Sequence, residues 1–122
     1  MQNTLLIFIN RMDDFKKDLA NLLQEYHGNV SPERSLFLAV IFQALLDATK
    51  PTNENESKQS VLNRQKAVGW FSTSVGVTAS NFTDICDMAN LESQYVRDFA
   101  YKVIHSREKT FIRYRLNKIL HT

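Results

Sequence analysis

Leu5, Phe8, Met12, Phe15, Leu19, Leu22 and Tyr26 follow one another at alternating spacings of three and four. That is the seam of an amphipathic helix, and it predicts a first helix over about residues 4–26. Asp13, Asp14, Lys16, Lys17, Asn21 and Gln24 fall off the seam. His27-Gly28-Asn29 ends it, because Gly28 accepts the left-handed backbone of a helix C-terminus. The seam packs either against the next helix or against a second subunit. Three heptads are few, which favours the internal contact. Leu6, Ile9 and Leu23 widen the apolar face, so a homodimer through the helix of residues 5–26 is compatible with it.

The next pattern opens with "SPER". Ser31 caps the free amides, Pro32 takes the first helical position and Glu33 suits the positive end of the dipole. The run "LFLAVIFQALL" over residues 36–46 then predicts a helix buried on most sides. It is too short to span a bilayer, which takes roughly 20 residues. Lys50-Pro51 stops the helix at about Thr49. "PTNENESKQS", residues 51–60, has no apolar anchor and predicts an exposed loop.

A third helix follows over about residues 60–71, with Val61, Ala67, Val68, Trp70 and Phe71 inward. Trp70, the single tryptophan, reads as a core anchor and not a ligand platform. "STSVGVTASN" is expected to be a connector, with Ser80 or Asn81 capping a fourth helix. The last helix is expected to begin near Thr110 and to turn Phe111, Tyr114 and Leu116 or Ile119 inward. The expected fold is therefore all-α, a bundle of five to six helices in a single domain over residues 1–122. An N-terminal helical hairpin would cover residues 4–50, a loop residues 51–60, and a second part with a basic tail residues 60–122.

"FTDICDMANLESQYVRDFAYKV" carries the steric pattern of two short helices crossing closely. Ile85 is the inner apolar residue, and Cys86 is the small residue at the crossing. Ala89 faces inward, Asn90 sits at the turn, and Leu91 is the apolar plug. Asparagine tolerates the left-handed region better than most residues. Val96 and Phe99 are the inner positions of the second helix, which Ser93 can cap.

This pattern resembles the helix-turn-helix of bacterial regulators and of sigma-factor DNA-binding regions. More broadly, "ALLDA", "AVGWFSTS" and "FTDICDMANLESQYVR" are similar to a group of small bacterial and phage proteins. In that group a Trp-centred helix precedes a Phe-x-x-Ile-Cys helix and a Leu-x-x-x-Tyr-x-Arg helix. The resemblance covers roughly residues 36–101. Asn90 stands where glycine is usual, and Glu92-Ser93 where Asp-Pro is frequent. The resemblance implies DNA binding, as a transcriptional regulator or a phage-type recognition subunit. Ser93, Gln94, Arg97, Asp98 and Tyr101 would then lie on the open face of the second helix. Gln94 pairs with adenine and Arg97 with guanine in such a reading, while Tyr95 and Lys102 hold phosphates. Glu92 and Asp98 on or near that face suit phosphate poorly.

Composition adds two points. Three glycines and two prolines are few breakers, which supports long helices. One cysteine, Cys86, leaves no internal disulfide and no cysteine-based zinc site, as expected of a reducing, cytoplasmic setting. The opening "MQNTLLIFINRMDDF" lacks a basic leader and is not expected to be a signal peptide.

Charge changes the picture more. From Lys102 onward, Lys102, Arg107, Lys109, Arg113, Arg115 and Lys118 face one acid, Glu108, a net of +5. The first 101 residues hold 9 basic and 12 acidic groups, a net of −3. A basic end on a mildly acidic body fits a polyanion, with Arg107, Arg113 and Arg115 joining the DNA contacts and DNA favoured over RNA. Arg113, Arg115 and Lys118 cannot share one helical face, so at least one should reach solvent or phosphate. Basic residues interleaved with Phe111 and Tyr114 also suit RNA, although the aromatic side chains more simply dock the helix. His27, His105 and His121 lack metal-ligand partners at helical spacing, and no nucleophile–base order or cofactor motif is present. No enzyme, metal, cofactor or membrane partner is expected. The competing reading is a protein-interaction or oligomeric adaptor module that docks a partner through its helices.

Overall fold

Ser31 accepts a hydrogen bond from the Arg34 N–H at 3.2 Å and starts helix α1, Pro32–Ala48, with Pro32 in the first turn. The structure, a computed structural model, describes residues 31–121. Leu38, Ile41, Phe42, Leu45, Leu46 and Ala48 are buried along α1, and they occupy more than one face. Accordingly α1 packs against each of the other four described helices. These are α2 (Lys58–Ser72), α3 (Gly76–Met88), α4 (Ser93–Ile104) and α5 (Lys109–Leu120). The fold is all-α, and no strand occurs among the described residues.

Phe71 from α2, Phe82 and Cys86 from α3, Val96, Phe99 and Val103 from α4, and Ile112 and Leu116 from α5 close the core around α1. Each large side chain removed from water contributes roughly 1.5–3 kcal/mol. Ala67, Ala79, Ala89 and Ala100 are buried between them, where a larger residue would hold the helices apart. The chain divides into two units, Met1–Val30 and Ser31–Thr122. The boundary falls within the expected hairpin of residues 4–50. The seam of residues 5–26 and the homodimer through it lie outside the described residues.

Four element starts differ from the sequence expectation, one of them α4, which begins at Ser93 and is not capped by it. α2 begins at Lys58, because Ser57 accepts from the Ser60 N–H at 3.1 Å and caps the helix two residues early. α3 begins at Gly76 and not after Ser80 or Asn81. Gly76 has φ +88°, a left-handed value that glycine adopts without strain, so the backbone turns into the helix with no side-chain cap. Asn81 accepts instead from the Trp70 indole N–H at 2.9 Å. Trp70 also meets Phe71 and Phe82 edge to face, at 5.1 and 4.9 Å between ring centres. α5 begins at Lys109 with no cap from Thr110, and its buried residues are Ile112 and Leu116. Phe111 and Tyr114, expected inward, are exposed. Their one-residue and two-residue offsets from Ile112 put them on the outer side.

The loop between α1 and α2 is tied down by Glu56. Its carboxylate accepts from Arg64 through both oxygens at 2.7 Å, and Oε2 accepts from the Ser60 hydroxyl at 3.1 Å. The Arg64 hydrogen bonds hold the carboxyl below its ordinary 4.5; burial opposes this, and Ser60 and the charges of Arg64 and Lys50 reinforce it. A carboxyl depressed on folding contributes stability in full above its unfolded value, and loses it as pH falls through the folded value. In urea melts, wild type is expected to exceed Glu56→Gln in stability above the ordinary 4.5 and to converge with it at lower pH. A gap that stays constant into strong acid would remove this role from Glu56.

Candidate nucleic-acid interface

α3 ends at Met88, and Asn90 follows its C-cap Ala89 with φ 58°. The Leu91 N–H donates to the Cys86 carbonyl and the Asn90 N–H to the Asp87 carbonyl, both at 2.9 Å. These two bonds close a helix with a left-handed residue just past its end. They use two carbonyls that would otherwise lack partners. Cys86, Ala89, Val96 and Phe99 are buried between α3 and α4, and Leu91 is half-buried over the turn. Burial pushes the Cys86 thiol up to about 11, with Asp87 adding to the shift and Arg97 opposing it. The thiol is thus a small packing group and a poor nucleophile at neutral pH.

α4 starts at Ser93 after Glu92, and neither side chain caps it. Ser93 and Tyr95 are half-buried. Gln94, Asp98, Tyr101, Lys102 and His105 are exposed. The Gln94 amide donates to Asp98 Oδ1 at 2.9 Å, and the Tyr101 ring lies 4.3 Å from the His105 ring. Arg107 and Arg115 are exposed as well.

Arg97 is not on that open face. Its Nη1 donates to the carbonyls of Phe71 and Thr73 at 3.1 and 2.7 Å, and its guanidinium carbon lies 4.5 Å above the Phe82 ring. It closes the C-terminus of α2, where the exposed carbonyls and the negative end of the dipole both favour a cation. Arg113 is withdrawn in the same way. Its Nη1 donates to the Leu46 carbonyl and, at 3.1 Å, to the Thr49 hydroxyl, at the C-terminus of α1. Burial lowers its pKa from the ordinary arginine value, partly offset by Asp47. Arg97 and Arg113, expected to reach guanine and the DNA backbone, are thus both held by internal acceptors.

Arg34, which the sequence did not single out, completes the set. Its Nε donates to the Ala89 carbonyl at 2.8 Å, at the C-terminus of α3. On the outer side of α5 the sequence offered basic residues interleaved with Phe111 and Tyr114, but it turned the two rings inward. Phe111, Tyr114, Arg115 and Lys118 are all exposed there, and their three- and four-residue spacing was the available signal.

An open groove of about 760 Å³ lies beside the loop between α1 and α2, lined by Lys50, Glu54, Glu56, Ser60 and Arg113 among others. Glu56 and Arg113 are both engaged in the bonds described above. Among the described residues, no three His, Cys, Asp or Glu side chains are grouped to hold a metal. None of the described helices is long and apolar enough to cross a membrane. Comparison with protein-family models, curated proteins and solved structures found no match.

Substitutions at two positions test this geometry by urea unfolding. Asn90→Gly is expected to match or slightly exceed wild-type stability, whereas Asn90→Val is expected to lose about 1–2 kcal/mol because a branched residue resists positive φ. Arg97→Ala is expected to lose about 1.5–3 kcal/mol, since it leaves two helix-end carbonyls without their charged donor. Arg97→Lys should recover only part, as a lysine lacks the planar fork. An Arg97→Ala protein as stable as wild type would put Arg97 outside the framework.

Proposed function

We propose that the protein binds duplex DNA through the α3–α4 helix pair, by phosphate contacts more than by base reading. The observation that carries this reading is a placement of charge. Lys102, near the end of α4, and Arg107 and Lys109, at the junction with α5, are all exposed on the basic end of the chain. A tight turn sets α4 with Gln94, Tyr101 and Lys102 outward, as the second helix of a groove-binding pair requires. With Arg97 committed to α2, Gln94 is left as the base-reading candidate, and its amide already donates to Asp98. Glu92 and Asp98 oppose phosphate on the same helix. Weak sequence preference follows. The protein would act by occupancy, as a small regulator or a DNA-recognition subunit.

A second reading, a module that docks another protein, is favoured by exposed apolar side chains. Leu36 and Val40 lie one turn apart on α1, and Val75 and Val77 flank Gly76 at the entry to α3.

Binding to a mixed-sequence duplex should weaken with salt at a slope of about −3 in log K against log salt if the three cations each meet a phosphate. Lys102→Gln with Arg107→Gln should flatten that slope by about 2. Lack of salt-dependent duplex binding at low ionic strength would transfer the assignment to protein docking.

A further inference from the structure

We propose that the outer face of α5 is a binding surface for single-stranded nucleic acid, with Phe111 and Tyr114 stacking on bases and Arg115 and Lys118 meeting phosphates. The proposal does not rest on the duplex reading. At about 100° per residue, these four positions fall within an arc of roughly 100° on the helix. Ile112 and Leu116, fully buried, occupy the opposite side. Phe111 is 44% exposed and Tyr114 61% exposed, so neither ring is needed to fill the core.

Each ring has one cation beside it. The Arg115 guanidinium carbon lies 5.8 Å from the Phe111 ring centre, and Lys118 Nζ lies 5.7 Å from the Tyr114 ring centre. Exposed pairs of this kind are weak, so each cation can turn to a phosphate while its ring stays in place. The helix, "KTFIRYRLNKIL", contains no acid to compete for either cation. Phe111 to Lys118 rises about 10 Å along the axis, and the two rings are offset by about 4.5 Å. That suits a pair of neighbouring nucleotides.

The chemistry selects the partner. An unpaired strand offers base faces for stacking as well as phosphates, and stacking on aromatic side chains tolerates any base. A duplex hides its base faces and would leave the rings idle. A membrane-surface helix must insert its apolar side, and here that side, Ile112 and Leu116, is in the core.

The test is fluorescence anisotropy of the full chain with a labelled oligothymidylate, a mixed-sequence duplex and phosphatidylserine vesicles. Three double variants are compared: Phe111→Ala with Tyr114→Ala, Phe111→Leu with Tyr114→Leu, and Arg115→Gln with Lys118→Gln. Circular dichroism checks their folding. The leucine pair keeps bulk and helix propensity, so a loss there is a loss of the rings. Wild type is expected to bind the oligothymidylate. Both ring variants should weaken it about tenfold or more at unchanged salt slope. The cation variant should reduce the slope by about 1.4. Ring variants that bind like wild type would overturn the proposal, as would wild-type binding to vesicles with none to the single strand. Binding to duplex alone sinks this inference and leaves the duplex reading standing; binding to single strand alone does the reverse.

Discussion

A helix that ends inside a protein leaves carbonyl oxygens facing a medium that cannot hydrate them. Three of the described helices meet this constraint alike, by drawing an arginine from a different helix onto the C-terminal turn. Arg113 of α5 reaches α1, Arg97 of α4 reaches α2, and Arg34 of α1 reaches α3. Each contact joins two elements that are distant in sequence, by 67, 24 and 55 residues respectively for these bonds. The apolar core draws the helices together without fixing their rotation or depth. A fork of donors aimed at particular carbonyls is directional, and so supplies what burial alone lacks. No buried side-chain nitrogen or oxygen among the described residues lacks a partner.

This use of arginine bears on how charge is converted into function. A basic end of +5 is the ground for proposing a polyanion, yet Arg113 within it is held on α1. Arg97, the best base reader by position, is spent on α2. What remains outward is of two kinds: cations near the α4–α5 junction, and a ring-and-cation face on α5. They lie on different helices and suit different forms of nucleic acid, so the candidate surface is better described as two sites than as one patch.

Much of the fold was legible because its signals are local. Ser31-Pro32 at the start of α1, the buried run after Leu36 and the turn at Asn90 each follow from one residue's conformational preference and a short apolar period. The start of α3 was not, since cap preference pointed to Ser80 or Asn81 while a backbone turn at Gly76 did the work. α5 was misphased because aromatic size drew Phe111 and Tyr114 inward in the reading, whereas the aliphatic pair Ile112 and Leu116, four apart, holds the core side. The destinations of Arg97 and Arg113 were out of reach. Apart from the Thr49 hydroxyl, their acceptors are main-chain oxygens, which every residue has and no sequence marks.

A framework clamped on main-chain oxygens tolerates change unevenly. Each clamp has one replaceable partner. Residues 46, 71, 73 and 89 offer carbonyls whatever side chains they bear, so their identities can drift under packing constraints alone. The three arginines have no such latitude. Damage to this architecture should be lopsided, concentrated on a few guanidinium-bearing positions and nearly silent at the residues that supply only a carbonyl.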